Sequence, residues 1–292
     1  MAMFTVALTA DLHFGTRHSA GQHATDELLK NLRADPPDLL ILAGDIGAGE
    51  DFDRCLGLFD DLKCQKALTP GTHDIWVRPD DERGDSLHVY REHLPKLAAE
   101  HGFKYLDAEP LILPDVELAV VGSINWYDYS WGIEKLPALA PDWKERLRTK
   151  RFARGRHNDA NYVRWNLDDG RFTHAVTTTL EAHLDRALKW VPSAIVVTHH
   201  PSFRGLNYPK KEPIGLDGWL WEAFSGNVGM ERVLEANAAK IPFAFCGHTH
   251  FARESRLDSI RGVNIGGDYH FKRLVRLEWP SGRLKTTQFG EA

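Results

Sequence analysis

Five short polar clusters carry the side chains that could do chemistry. They are Asp11-Leu12-His13, Gly44-Asp45, Gly71-Thr72-His73-Asp74, His199-His200-Pro201 and Gly247-His248-Thr249-His250. Their shared inventory is carboxylate and imidazole, with no cysteine among them. That donor set suits Mn, Fe or Zn better than Ca or Mg, which prefer shells made only of oxygen. His73 beside Asp74 also has the form of a catalytic pair, a carboxylate fixing an imidazole that moves a proton. Taken singly, each cluster is commonplace, since a lone D-x-H or G-D arises by chance. Jointly they are not, because each one closes an apolar run.

Those runs are FTVALTA (4–10), DLLILA (38–43), KALTP (66–70), AIVVT (194–198) and PFAFC (242–246), and each reads as a strand. Helical stretches at 22–33 and 51–63 separate the first three, and 86–102 reads as a helix interrupted at Pro95. The alternation predicts an α/β architecture with a largely parallel core. Open sheets of that kind place their binding crevice at the carboxyl ends of the strands. ELAVVGS (117–123) predicts one more strand, and helices are expected near 174–190 and 229–239. The tail, with GVNIGG and RLVRLEW, alternates in period two and predicts an antiparallel finish. In extended backbone, residues i and i+2 face the same way, so Asp11 with His13, and His248 with His250, are expected to converge. Gly44, Gly71 and Gly247 are expected to let the chain turn sharply there.

The bulk properties exclude several classes. A net charge of −5 and a pI near 6.3 argue against the whole molecule binding polyanions, leaving only a local basic face. No apolar run approaches the roughly 20 residues of a membrane-spanning helix. MAMFTVALTADLHFG lacks a cationic lead and a long apolar core, so it reads as a first strand and not a leader. Cys55, Cys64 and Cys246 form an odd set without metal-ligand spacing, which points to a reducing compartment, the cytoplasm by default.

In this order and context the clusters resemble the calcineurin-like metallophosphoesterase family, whose pattern is D-x-H, G-D, G-N-H-[DE], H-x-P and G-H-x-H. The resemblance runs from Asp11 to His250. It implies a single α/β domain over 1–292, a four-layer αββα sandwich of two mixed β-sheets flanked by helices. It also implies two metal ions: Asp11, His13 and His250 would hold one, Asp45 would bridge, and His199 and His248 would hold the second. His199 takes the ligand position two residues before Pro201, leaving His200 behind the ligands or facing substrate. The implied activity is phosphoesterase, by in-line attack of a metal-bridging hydroxide without a covalent enzyme intermediate. His73 would donate a proton to the leaving oxygen and Asp74 would orient it.

Thr72 departs from the pattern, because the family has Asn there and uses its side-chain oxygen as a ligand of the second metal. A Thr hydroxyl is shorter and a poorer donor. Three readings follow: a second site that fills weakly, an enzyme working with one metal, or a metal-containing binder of phosphate ligands with weakened catalysis. The rest of the motif is intact, which favours an active enzyme with a weakened second site.

Residues 124–172 break the strand–helix alternation and read as a cap-like insertion within the domain. Their basic stretch KERLRTKRFARGR (144–156) offers Arg148 and Arg151 to clamp a phosphate, and nearby aromatic rings to stack on a base. Asn125 and Tyr127, just beyond a strand end, are candidates to line the pocket. Asp268, His270 and Lys210-Lys211 read as loop residues. The expected substrate is a phosphodiester, with monoesters compatible and a nucleotide among the ligands that would suit. The enzyme alternative is a nuclease using the basic stretch on single-stranded nucleic acid, a partner not favoured here.

Overall fold

A computed structural model describes residues 3–16, 18–210 and 212–291. Lys211, expected in an exposed loop with Lys210, lies outside them. Its neighbour Lys210 pairs with the buried Glu222 at 2.9 Å. The strands, in chain order, begin with β1 (Phe4–Thr9), β2 (Leu39–Ala43), β3 (Gln65–Thr69), β4 (Phe103–Tyr105), β5 (Leu111–Leu113) and β6 (Leu118–Ser123). They continue with β7 (Ser193–Thr198), β8 (Phe243–Cys246), β9 (Arg253–Leu257), β10 (Ile260–Asn264), β11 (Lys272–Trp279) and β12 (Arg283–Phe289). One sheet has the order β12-β11-β1-β2-β3-β4, parallel from β1 to β4 and antiparallel at β11 and β12. The other has the order β5-β6-β7-β8-β10-β9, parallel from β6 through β10 and antiparallel at both edges.

Side-chain alternation stacks these sheets into the expected four layers. In β2, Leu39, Ile41 and Ala43 face the opposite sheet and meet Val120, Ile195, Val197 and Phe245. The intervening Leu40 and Leu42 turn outward onto the helices Ser19–Ala34 and Glu50–Gly57. On the second sheet Ala194 and Val196 turn outward onto Leu180, Leu184 and Leu234, from the helices Asp169–Ala187 and Val228–Ala236. Strands covered on both faces must be apolar throughout, which is why DLLILA and AIVVT read as unbroken runs.

Two expectations are corrected. The break at Pro95 does not occur: Ser86–His88, a wide π-turn at Val89–His93 and Leu94–Glu100 follow one another without a gap. Pro95 falls at the start of the last segment, where its missing N–H interrupts least. The tail is not wholly antiparallel either, since β10 pairs parallel with β8 and antiparallel with β9. Ile260 and Val263 of β10 are buried, whereas β9 (RESRL) is largely exposed and polar, so β9 takes the edge and β10 the interior.

Residues 124–172 form short helices at Leu136–Leu139, Trp143–Thr149 and Asp159–Tyr162, with no strand among the described residues. Trp126, Tyr127 and Trp131 are fully buried beneath them. Trp126 Nε1 donates to Asp169 at 2.8 Å, and the Lys150 ammonium pairs with the same carboxylate. No helix among the described residues is long and apolar enough to cross a membrane.

Candidate metal centre

The ends of β1, β2, β3, β7 and β8 bring the polar clusters to one point. Three groups of side chains there have ligand atoms within 4.8 Å of one another: Asp11–His13–His250, His13–Asp45–His73 and Asp11–Asp45–His199. Asp45 is the joint. Its Oδ1 accepts the His73 backbone N–H at 2.8 Å and lies 3.3 Å from His199 Nε2, while its Oδ2 lies 3.8 Å from His13 Nε2. Contacts between the sheets fix the two halves: His248 N–H donates to Asp11 Oδ1 at 2.9 Å, and His199 Nδ1 lies 3.1 Å from the Ala43 carbonyl. The His248 ring lies 5.1 Å from that of His199 and 4.1 Å from that of His200.

Convergence does not arise from extended i, i+2 alternation. Asp11, His13, Asp45, His248 and His250 all adopt left-handed backbone, with φ between 43° and 71°. Non-glycine residues rarely do so, and such conformations persist where the surrounding structure over-determines them. Of the three glycines expected to turn the chain, only Gly44 has positive φ. Gly71 is needed for close approach instead: a Cβ there would lie 2.1 Å from the Asp45 backbone nitrogen.

Burial sets the electrostatics. It is the main cause that holds His13 and His248 well below the usual imidazole range, so both are neutral with a lone pair to offer. It also pushes Asp11 up to about 6. His199 moves the other way, because Asp45 and Asp11 outweigh its burial and raise it to about 9. Asp11 Oδ2 is buried without a hydrogen-bond donor among the described residues, and the Nε2 atoms of His13 and His250 stand 3.0 Å apart. An orphaned carboxylate oxygen facing crowded imidazoles is a poor arrangement for protein alone and a fitting one around cations.

Thr72 is buried, with Oγ1 3.4 Å from Asp45 Oδ1. Asp74 makes no hydrogen bond to the His73 ring among the described residues. Its carboxylate accepts backbone N–H groups from Gly71 (2.7 Å), Ile46 (2.8 Å) and Gly47 (2.9 Å), tying the loops after β2 and β3 together. Asp74→Asn turns an NH₂ group toward these donors and is expected to cost about 1–3 kcal/mol of stability. Urea denaturation of the metal-free protein would register it, and an unchanged midpoint would contradict the tie.

A cavity of ≈ 520 Å³ opens over the cluster, lined by Asp45, Thr72, His73, His248 and His250 at its floor. Its walls carry Arg156, from the basic run, and residues with no such signal: Trp76, Phe152, His157, Trp221 and Tyr269. Tyr269 stacks on His13 with centroids 4.2 Å apart, and it sits between the two tail residues that did draw notice. Asp268 stands behind the cluster, 3.8 Å from His250 Nδ1, while His270 is exposed. Trp76, Trp221 and Tyr269 have no local signature, since they come from three segments far apart in the chain, while Phe152, Arg156 and His157 come together from a fourth.

Five expected substrate contacts lie elsewhere. Arg148 is exposed and paired with Glu145 at 2.6 Å, Arg151 is exposed, and neither lines this cavity. Helical geometry places Arg148 beside an acid three residues away and turns both to solvent. Asn125 is buried, donating to the Pro201 carbonyl (3.1 Å) and accepting from Asn227 (2.8 Å), and so braces the loop after β7. Tyr127 is buried with its hydroxyl donating to Asp159 at 2.8 Å. His200 is buried, held through Nδ1 by the Asn125 carbonyl at 2.7 Å, and burial lowers it to about 3.

The family model for calcineurin-like phosphoesterases matches residues 4–252. No curated protein matches the sequence. Among solved structures the fold is similar to phosphopantetheinyl hydrolase from Mycobacterium tuberculosis, with TM-score 0.71, 20% identity, and coverage of 92% of this chain and 91% of that one. It is also similar to a dimetal phosphatase from Danio rerio, with TM-score 0.53, 12% identity, and coverage of 99% of both chains. A match spanning all five strand-end clusters, over buried carboxylates and imidazoles that suit cations, makes this chain a member of the calcineurin-like phosphoesterase family, hydrolases of phosphoric esters that use divalent metal ions.

Proposed function

We propose that this protein is a phosphodiesterase acting on a small diester that carries a ring-bearing group. The observation that supports this most is the joining of the ligand cluster to an aromatic cavity. Trp221 and Phe251 line that cavity yet remain 42% and 54% exposed, although rings of that size are usually covered. Among the described residues, Arg156 is the only arginine or lysine in the lining. A monoester dianion calls for more cationic partners, whereas a diester with one negative charge and two substituents suits one arginine between apolar walls.

Asp11, His13, His250 and Asp45 would hold one metal, and Asp45, His199, His248 and Thr72 a second, weaker one, with Mn, Fe or Zn fitting the donors. Bound metal supplies Lewis-acid charge and a nucleophile at neutral pH. The chain supplies the rest. His73 donates a proton to the leaving oxygen, Arg156 binds a non-bridging phosphate oxygen or a second anionic group, and the rings of Trp221 and Phe251 exclude water around the substituent. Residues 124–172 act as a cap, since Phe152, Arg156 and His157 form one wall of the cavity. Three of the seven cations in the basic run are paired with acids, Arg146 with Asp142, Arg148 with Glu145 and Lys150 with Asp169, which reduces the charge left for a nucleic-acid strand and favours a small substrate. The three free cysteines accord with a cytoplasmic protein.

The test is hydrolysis of bis(4-nitrophenyl) phosphate against 4-nitrophenyl phosphate, after metal removal and reconstitution with Mn or Zn. The diester is expected to turn over at least about tenfold faster in kcat/KM, a difference of about 1.4 kcal/mol in activation free energy. Faster monoester turnover would overturn the diester assignment. Metal binding without turnover of either ester would favour the binding-protein reading.

A further inference from the structure

His73 is held by stacking, not by hydrogen bonds through its ring. Its ring nitrogens make none among the described residues, and Nε2 lies 3.9 Å from the nearest carboxylate oxygen of Asp45. Its ring instead lies against Trp76, with centroids 3.6 Å apart and planes inclined by 26°. Trp76 is in turn fixed by one short helix of the insertion, Asp159–Tyr162. The indole Nε1–H donates to Asp159 Oδ1 at 3.1 Å, and the indole stacks on Tyr162 at 4.8 Å. The Val77 N–H donates to the Tyr162 carbonyl at 2.9 Å, so the backbone after Trp76 is tied to the same helix.

Asp159 is anchored more firmly than the groups it holds. It is fully buried, its Oδ2 accepts the Tyr127 hydroxyl at 2.8 Å, and His157 Nδ1 lies 3.3 Å from that oxygen. A buried carboxylate with partners from three segments has one arrangement that satisfies all of them. The indole that donates to it inherits that fixity, and so does the imidazole on the indole face.

We propose that Asp159 and Trp76 are positioning residues for His73: the insertion's carboxylate fixes the indole, and the indole fixes the proton-donating imidazole. This is the task that the sequence assigns to Asp74, whose carboxylate is committed to three backbone N–H groups. The orientation of the proton donor is therefore set from residues 157–162 and not from the strand-end motif. The proposal rests on His73 being that donor.

The experiment uses the metal-reconstituted full chain and two methyl phosphodiesters that differ only in the leaving group, 4-nitrophenolate or unsubstituted phenolate. General-acid catalysis contributes about 10²–10⁴-fold and matters most for the poorer leaving group. His73→Asn is expected to lower kcat/KM for the phenyl ester at least about tenfold more than for the nitrophenyl ester. Trp76→Phe, which keeps a ring but loses the N–H, and Asp159→Asn are expected to shift the same ratio about three- to tenfold. Neither is expected to shift it further in the His73→Asn background. A second readout needs no turnover. In metal-free protein the His73 ring protons should carry an upfield shift from the indole face, and Asp159→Asn should move them toward free-imidazole values.

Equal losses on both esters, additive losses in the double variants, or His73 resonances unmoved by Asp159→Asn would each overturn the positioning role while leaving His73 as donor. A His73→Asn variant with no leaving-group dependence would overturn the donor assignment and the positioning role together.

Discussion

Asp45→Asn is expected to lower phosphoesterase kcat/KM by about 10³-fold or more, the largest loss from any single change in the centre. Asp45 belongs to two of the three convergent ligand groups and stands between them. The amide keeps an oxygen to accept the His73 N–H now made at 2.8 Å, so the loop after β3 should stay in place. What disappears is the charge. Without it, Asp11 is the one carboxylate left in the convergent ligand groups, and affinity for metal falls. The check is metal content per chain alongside activity, with circular dichroism to confirm folding. A folded variant that kept full metal content and full rate would remove Asp45 from the ligand set.

Thr72→Asn is expected to do the opposite. Thr72 is buried beside Asp45, with Oγ1 3.4 Å from a carboxylate oxygen, so a side-chain oxygen one bond farther out would extend into the cluster. The expected result is a roughly 10–100-fold fall in the metal concentration needed for half-maximal activity, the range by which neighbouring-shell changes alter metal sites. Titration of the metal-free protein with Mn, followed by activity and by calorimetry, measures it. Identical titrations for both proteins would mean that Thr72 is no ligand and that the second metal is held without it or is not needed.

Much of the fold was legible because it is written locally. Leu39–Ala43 and residues 194–197 are apolar at every position since helices cover one face of each sheet and the second sheet covers the other. Where pairing partners decided the outcome, the sequence misled. Nothing within GVNIGG says that β10 lies beside β8, because that follows from β9 being the strand that tolerates solvent. Pro95 likewise looked like a stop, and only the wide turn before it shows how the helix runs on.

The site divides along the same line. Ligand candidates could be named because each must close a strand, so residue type and position in an apolar run identify Asp11, Asp45, His199 and His250 without knowledge of the packing. The cavity walls could not. Trp76, His157, Trp221 and Tyr269 come from four separate segments and meet only when the chain is folded. Asp74 shows the limit most clearly: its place beside His73 in sequence suggested a dyad, yet three unpaired backbone N–H groups claim its carboxylate. The sequence by itself determined which strand ends carry the convergent carboxylates and imidazoles, because strand periodicity is a local property. The tertiary structure alone decided what surrounds them, because side chains far apart in the chain compete for the same hydrogen-bond partners and the same space.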